Sequence, residues 1–262
     1  MTKERRTLRV ISLCPSNTEI IEFLGLSHWL VGVDDFSDWP ASISDLPKLG
    51  PDLSINMDHV EQLQPDLVLA SLSVPGMEKN VEALQNRGIP HIVLDPQSLK
   101  DIEQDLIKTA QVLRVPERGM QAARVFRSRL ERVKEHSKMV DKRPSLYWEW
   151  WPKPIFTPGR INWLTEISEA AGAVNVFSDV ELASVQTDWE DVLRRKPDFI
   201  CLAWVGVRKD KVQKSVVTKR PGFERLGYYN DDRIFVLEEE LYCRPSPRLL
   251  DGLEKLFGLI HR

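Results

Sequence analysis

Two acidic residues occupy equivalent positions in an internal repeat of this chain. Residues 57–72 read MDHVEQLQPDLVLASL and residues 189–204 read WEDVLRRKPDFICLAW, so that Asp58 aligns with Glu190 and Pro65 with Pro197. Each acid stands at the start of a predicted helix, where a carboxylate complements the helix dipole or caps the first turn. Equivalent acids on two similar lobes also suit a two-point docking surface, and the sequence leaves both interpretations open.

Aromatic residues collect at the ends of predicted strands, where open α/β sheets bind their ligands. Rigid aromatic side chains there would give a flat or bulky ligand a broad contact area. Packing within the core is the alternative for any single residue, but the clustering favours a pocket. The aromatic residues at these strand ends are Phe36, Trp39, Trp148, Trp150, Trp151, Trp204 and Tyr242.

A short segment after the last predicted strand carries Glu240 and Arg244. An arginine and a carboxylate at a pocket rim can hydrogen-bond amide or phosphate groups of a ligand. The alternative is a surface ion pair of little energetic consequence. Arg248 opens the last predicted helix, and we expect it to anchor the segment.

No pattern typical of catalysis or of metal binding is present in the sequence. Cys14 precedes a helix, where a thiolate is favoured, but no histidine is placed to act as its base. The histidines lack zinc-site spacing, and the glycines form no phosphate-binding loop. We therefore expect no enzymatic activity, no catalytic residue, no metal and no cofactor.

Charge and hydropathy exclude several partners. The net charge of −3 and the absence of blocks of like charge argue against a nucleic-acid or membrane-surface protein. No apolar run reaches the roughly 18 residues of a membrane span. The opening segment MTKERRTLRVISL lacks the apolar region of a secretory signal, so the sequence as written predicts a cytoplasmic protein. A removed export or lipoprotein signal is the alternative.

Short apolar strands alternate with helices, which predicts an α/β protein with parallel sheets. The repeat indicates two Rossmann-like lobes. Between them lies a helical tract that Pro116 divides, and its second piece, 117–138, is long enough for a rigid connecting helix. We therefore predict an N-terminal lobe over 8–97, a helical linker over 98–141 and a C-terminal lobe over 142–262.

Four segments resemble, in order, the class III substrate-binding proteins of ABC importers, and most closely their cobalamin-binding branch. They are RVISLCPSNTEI, VGVDDFSDWP, LQPDLVLAS and RPSPRLL. The resemblance extends from about Leu8 to Leu259. It implies two lobes joined by one long helix, with a corrinoid held in a shallow cleft between them. Members of this family are normally extracytoplasmic.

The resemblance also implies roles for individual residues. Phe36 and Trp150 match aromatic positions that line the corrinoid pocket in the family. Glu240 and Arg244 match an acid and an arginine that approach the ligand, although the acid is aspartate in the family member aligned. We add Trp39, Trp204 and Tyr242 to the expected ligand contacts because they lie at strand ends.

The resemblance implies that Asp58 and Glu190 match carboxylates that bind arginines of the permease. Asp52 and Leu72 stand near positions where the family can carry tryptophan, which is a departure from its pattern. The expected partners are therefore cobalamin or a related corrinoid and an ABC permease, and we expect a monomer. The alternatives are a ferric siderophore or haem as the ligand, or a cytosolic corrinoid sensor or enzyme on the same scaffold.

Overall fold

The computed structural model describes residues 7–228 and 231–261. The polar N-terminal residues on which the prediction of location relied, and residue 262 of the predicted C-terminal lobe, lie outside the described residues. Contacts group the chain into two compact units. The first contains residues up to Pro96 together with Lys100–Phe126, and the second contains Gln97–Leu99 together with the residues from Arg127 onward.

The first unit is built on a parallel sheet of short apolar strands. Its strand order is β2-β1-β3-β4, and the strands pair in parallel throughout. Buried Ile11, Val68 and Ala70 form part of its core with Val60 of a covering helix. The strands are β1 Val10–Ser12, β2 Leu30–Val33, β3 Leu67–Ser71 and β4 His91–Leu94.

The second unit contains a second parallel sheet, of order β11-β10-β5-β8. A small antiparallel sheet of order β6-β7-β9 follows the first strand of this unit. The segment 151–162, whose prolines and glycine are typical of a loop, is therefore partly β-structure. The strands are β5 Ser145–Glu149, β6 Trp151–Pro152, β7 Ile155–Pro158, β8 Val174–Asn175, β9 Ser184–Thr187, β10 Phe199–Leu202 and β11 Ile234–Val236.

The helices confirm the alternating α/β pattern, and the fold class predicted from the sequence is correct. The helices are α1 Pro15–Phe23, α2 Met57–Gln62, α3 Glu78–Asn86, α4 Leu99–Val112, α5 Pro116–Ser137, α6 Trp163–Ala170, α7 Trp189–Arg195, α8 Ser215–Thr218, α9 Glu239–Tyr242 and α10 Leu249–Ile260.

Proline divides the helical tract as expected. Helix α5 begins at Pro116, where a missing N–H costs nothing, and runs for 22 residues. Residues up to Phe126 belong to the first unit, and those from Arg127 belong to the second. The predicted linker 98–141 is thus distributed over both units. Among the described helices, none combines the length and the apolar character needed to cross a membrane.

The sequence repeat has a counterpart in the backbone. After α2 and α7, Gln64 and Lys196 both adopt a left-handed conformation with φ of 46°. The side chains of Asp66 and Asp198, two residues further on, each accept a backbone N–H beside the unit's first strand, at 2.8 Å in both units. The aspartate of each Pro-Asp pair therefore fixes the repeated segment by a hydrogen bond next to β1 in one unit and at the start of β5 in the other.

Candidate functional site

In the first unit, large apolar side chains are exposed where the strands end. Phe36 follows β2 and is 51% exposed, and Leu72 follows β3 and is 39% exposed. Trp39 is half-buried in the same loop as Phe36. The carboxyl ends of parallel strands lie on one edge of a sheet, which we call the first carboxyl edge. Apolar groups exposed there, beside buried polar ones, are typical of a ligand-contacting surface.

A buried carboxylate fixes the loop that carries Phe36. Asp34 is fully buried directly after β2, and it accepts the backbone N–H of Phe36 at 2.8 Å and the hydroxyl of Ser37. The Lys48 ammonium donates to the main-chain oxygen of Ser37 at 2.6 Å. Burial raises the pKa of the Asp34 carboxyl from 3.8 to about 6, while the hydrogen bonds oppose this shift. The loop is therefore held by short polar contacts beneath its exposed ring.

Asp52 lies near one of the two positions where the sequence departs from the family pattern. Asp52 is partly buried, and burial raises the pKa of its carboxyl. Its main-chain oxygen accepts the Asn80 side-chain amide at 2.6 Å. A carboxyl group here makes this part of the surface more polar than an indole would.

In the second unit, the carboxyl ends of β5 and β10 carry three tryptophans, and we call this the second carboxyl edge. Trp151 is 42% exposed, whereas Trp150 and Trp204 are half-buried. The Trp150 ring packs against Trp163, with ring centroids 5.7 Å apart. Within the described part of the chain, the buried Nε1 of Trp150 has no hydrogen-bond partner. Val205, after β10, is 46% exposed and adds a further apolar group to this edge.

A buried ion pair lies behind the second carboxyl edge. The carboxylate of Glu149, the last residue of β5, is fully buried and binds the Arg220 guanidinium through two contacts of 2.6 and 3.0 Å. It also accepts the Tyr147 hydroxyl at 2.7 Å and the Trp204 indole N–H at 3.2 Å. Four donors thus satisfy one carboxylate, as a buried charge requires.

Tyr242 must be removed from the expected ligand contacts. Its side chain is fully buried, its ring packs on buried Trp148 at 5.4 Å, and its hydroxyl donates to the Gly252 carbonyl at 2.8 Å. Trp148, a strand-end aromatic in the sequence, is likewise a core residue, with its indole N–H bound to Ser168 at 2.9 Å. Both rings sit in the core because neighbouring core groups satisfy their polar atoms.

The ion pair predicted near the end of the chain involves a different acid. Arg244 contacts Glu239 at 3.2 Å, and both side chains are largely buried. Burial raises the pKa of the Glu239 carboxyl, and Arg244 opposes that shift. Glu240 is half-buried on the same short helix α9. The expectation that Glu240 and Arg244 contact a ligand stays a prediction, but the arginine is already engaged by Glu239.

The two repeat-related acids are exposed and paired with arginines. Asp58 lies 2.7 Å from Arg87, with 75% of the Asp58 side chain exposed. Glu190 makes two contacts of 2.8 Å with Arg225. The hydrogen bond from Arg225 lowers the pKa of the Glu190 carboxyl. Both acids are accessible to solvent, with 75% of the Asp58 side chain and 65% of the Glu190 side chain exposed.

Neither acid is a helix cap. Asn56 caps α2 and Asp188 caps α7, each accepting the backbone N–H of the third helical residue, at 3.0 and 2.8 Å. Asp58 and Glu190 are the second residues of these helices, and their side chains are directed to arginines instead. The capping interpretation of the two acids is therefore wrong, and the equivalent caps are the residues two positions earlier.

The cysteines are unsuited to nucleophilic catalysis. Cys14 is fully buried, and burial raises the pKa of its thiol from 9.0 to about 12. Burial also raises the pKa of the Cys201 and Cys243 thiols. Neutral thiols are poor nucleophiles. Among the described residues, no group of three or more acids, histidines or cysteines could hold a metal ion.

Sequence reasoning missed the buried polar residues that support the edges. Asp34 and Glu149 each stand at the end of a predicted apolar strand, and an acid in that position is the signal that could have identified them. Arg220 gave no such signal, because it lies in a polar segment 71 residues beyond the glutamate that it binds.

Comparison with known proteins gives a consistent result. A family model described as periplasmic binding protein matches residues 10–241. The uncharacterized ABC transporter substrate-binding lipoprotein YvrC of Bacillus subtilis (strain 168) is 28% identical over 266 residues, covering 100% of this chain and 82% of its own length. The vitamin B12-binding protein of Vibrio campbellii (strain ATCC BAA-1116) is 30% identical over 248 residues, covering 95% and 87%.

A solved structure shares both the fold and part of the sequence. The crystal structure of the periplasmic vitamin B12 binding protein BtuF of Vibrio cholerae superimposes with a TM-score of 0.79 and 25% identity. The match covers 97% of this chain and 96% of that one. The similarity therefore extends over both units.

Proposed function

Since this chain belongs to the periplasmic binding protein family, we propose that it is a non-enzymatic binding protein that captures a corrinoid, with cobalamin as the ligand. The observation that carries this proposal is the exposure of large apolar side chains at the carboxyl edges of both sheets. Phe36 and Leu72 provide it in the first unit, and Trp151 and Val205 provide it in the second. Similarity to vitamin B12-binding proteins over nearly the whole chain supports the choice of ligand.

We further propose that the protein acts outside the cytoplasm and delivers its ligand to an ABC permease. The similarity to an ABC transporter substrate-binding lipoprotein supports both points. Asp58 and Glu190 are the proposed docking residues. They are equivalent in the repeat and exposed, and a permease arginine could replace Arg87 or Arg225 as the partner of each acid.

Haem is the alternative ligand against which the proposal is tested. Haem iron is commonly held by tyrosine or histidine, and Tyr242 was the tyrosine that the sequence offered near the ligand. Its burial and its hydrogen bond to Gly252 make it unavailable for coordination.

Titration of the intrinsic tryptophan fluorescence tests the proposal directly. Cyanocobalamin should quench the fluorescence with a saturable one-to-one curve, and haemin and ferrichrome should not. Trp150→Ala should weaken cyanocobalamin binding by about 1–3 kcal/mol, because a large apolar contact is lost. Trp29→Phe, a substitution at the amino end of β2 and therefore away from the first carboxyl edge, is the matched control and should leave the affinity unchanged. Saturable binding of haemin without cyanocobalamin binding would overturn the proposal.

A further inference from the structure

We propose that Glu149 is a positioning residue, which holds the indole of Trp204 in the orientation that the ligand contacts. The inference rests on the proposed function, because it deepens the role of the second carboxyl edge. Glu149 itself is fully buried and touches no ligand, so any influence on binding must pass through another side chain.

The contacts of the carboxylate point to Trp204. Oε1 of Glu149 accepts the indole N–H of Trp204 at 3.2 Å and a guanidinium N–H of Arg220 at 3.0 Å. Oε2 accepts the other guanidinium N–H at 2.6 Å and the Tyr147 hydroxyl at 2.7 Å. Of these three donor residues, Trp204 is the one that follows the end of a parallel strand, on the edge where ligands bind.

The main chain around Trp204 is also tied to β5. The backbone N–H of Ala203 donates to the Glu149 carbonyl at 3.1 Å, and that of Val205 donates to the Trp150 carbonyl at 3.1 Å. These bonds fix the backbone on both sides of Trp204, and the ring itself packs against the apolar core cluster of this unit. The hydrogen bond to Glu149 is the polar contact that fixes the direction of the indole N–H within this packing.

A gain in folding stability alone does not explain the presence of the buried ion pair between Glu149 and Arg220. A buried ion pair gains no more stability than well-packed apolar residues of the same volume, because desolvation offsets the attraction. Here the carboxylate is fully buried and the arginine side chain is 13% exposed. Arg220 lies above the Trp189 ring, 4.9 Å from its centroid, so the guanidinium is itself held in place. What the arrangement does supply is a fixed acceptor for the Trp204 indole.

A double-mutant cycle on cyanocobalamin affinity tests the inference. Glu149→Gln should weaken binding about tenfold in the wild-type background. The glutamine amide replaces one of the two carboxylate oxygens by an NH2 group, which cannot accept the hydrogen bonds made to that oxygen. In the Trp204→Phe background the same change should alter the affinity less than twofold, because the indole N–H is already gone. Equal losses in both backgrounds would overturn the proposal. If Glu149→Gln does not fold, Arg220→Lys takes its place in the same cycle. This variant keeps the positive charge but loses the bidentate contact with the Glu149 carboxylate.

Ser168→Ala is the matched control. It removes the acceptor of another buried indole N–H, that of Trp148, in the same unit. It should lower the melting temperature and leave cyanocobalamin affinity unchanged. A loss of affinity equal to that of Glu149→Gln would mean that any loosening of this unit weakens binding, and would overturn the proposal.

A measurement without ligand separates this inference from the proposed function. The Trp204 indole N–H resonance, identified by its loss in Trp204→Phe, should exchange with solvent at least tenfold faster in Glu149→Gln. Unchanged exchange would refute the positioning role even if cyanocobalamin binds. Faster exchange in a protein that binds no corrinoid would instead refute the proposed function.

Discussion

Burial of Asp34 makes stability depend on pH. In the folded protein the pKa of its carboxyl is raised from 3.8 to about 6 by burial, so the folded state binds the proton more tightly than the unfolded state. The contribution of Asp34 to stability is therefore greatest below pH 4, falls as pH rises to about 6, and changes no further above that. The difference between the two pKa values corresponds to roughly 3 kcal/mol.

Asp34→Asn should remove this dependence. Between pH 4 and 7 the wild type should lose more unfolding free energy than the variant, as measured by urea denaturation at a series of pH values. Asp105 has a carboxyl pKa raised to about 6 by the same cause, so Asp105→Asn should flatten the profile independently. Parallel profiles for the wild type and Asp34→Asn would contradict this account.

At the scale of single residues, the sequence predicted which residue types suit ligand contact better than it predicted which side chains are buried. Phe36 was expected to contact the ligand, and its side chain is exposed after the end of β2. Tyr242 was expected to contact the ligand too, but its neighbours satisfy its hydroxyl inside the core. Glu239 and Glu240 are adjacent in sequence, and only the geometry of the short helix α9 decides which of them meets Arg244. Such choices depend on packing, which residue types and spacing do not encode.

At the scale of elements, the repeated left-handed residues offer a test of backbone strain. Gln64 and Lys196 both have φ of 46°, a conformation that disfavours a β-carbon. Gln64→Gly and Lys196→Gly should each raise the unfolding free energy by about 0.5–1 kcal/mol. Gln62→Gly, at the exposed last residue of α2, where the backbone is still right-handed, is the matched control and should lower it by about 0.5–1 kcal/mol. Destabilisation by both left-handed substitutions would show that these side chains make compensating contacts.

Strands and helices of the two parallel sheets were predictable because apolar runs and helical patterns alternate clearly. The antiparallel strands β6, β7 and β9 were not, since all three are short and β6 and β7 contain proline, at residues 152 and 158. Proline and turn residues are typical of loops, so local pattern alone gave the wrong assignment there. Tertiary pairing, as between Phe156 and Gln186, makes these segments strands.

At the scale of the whole molecule, Asp58 and Glu190 connect the chain to its proposed permease. Asp58→Ala and Glu190→Ala should leave cyanocobalamin affinity unchanged and reduce uptake by cells that carry the cognate permease. The double variant should be the most impaired, because each unit supplies one charge-assisted contact. Glu61→Ala is the matched control, since Glu61 is an exposed acid that also pairs with Arg87. Undiminished uptake by the double variant would exclude docking through these acids.

The three cysteines share a property that matters for the use of this protein as a reagent. All of them have thiols whose pKa is raised by burial, and Cys243 in addition donates its S–H to the Ala203 carbonyl at 3.2 Å. A maleimide dye reacts with accessible thiolates, so a single cysteine introduced at exposed Val205 would be the preferred site of labelling in the native fold. The chain could then report corrinoid concentration through one attached fluorophore, with its native cysteines left in place.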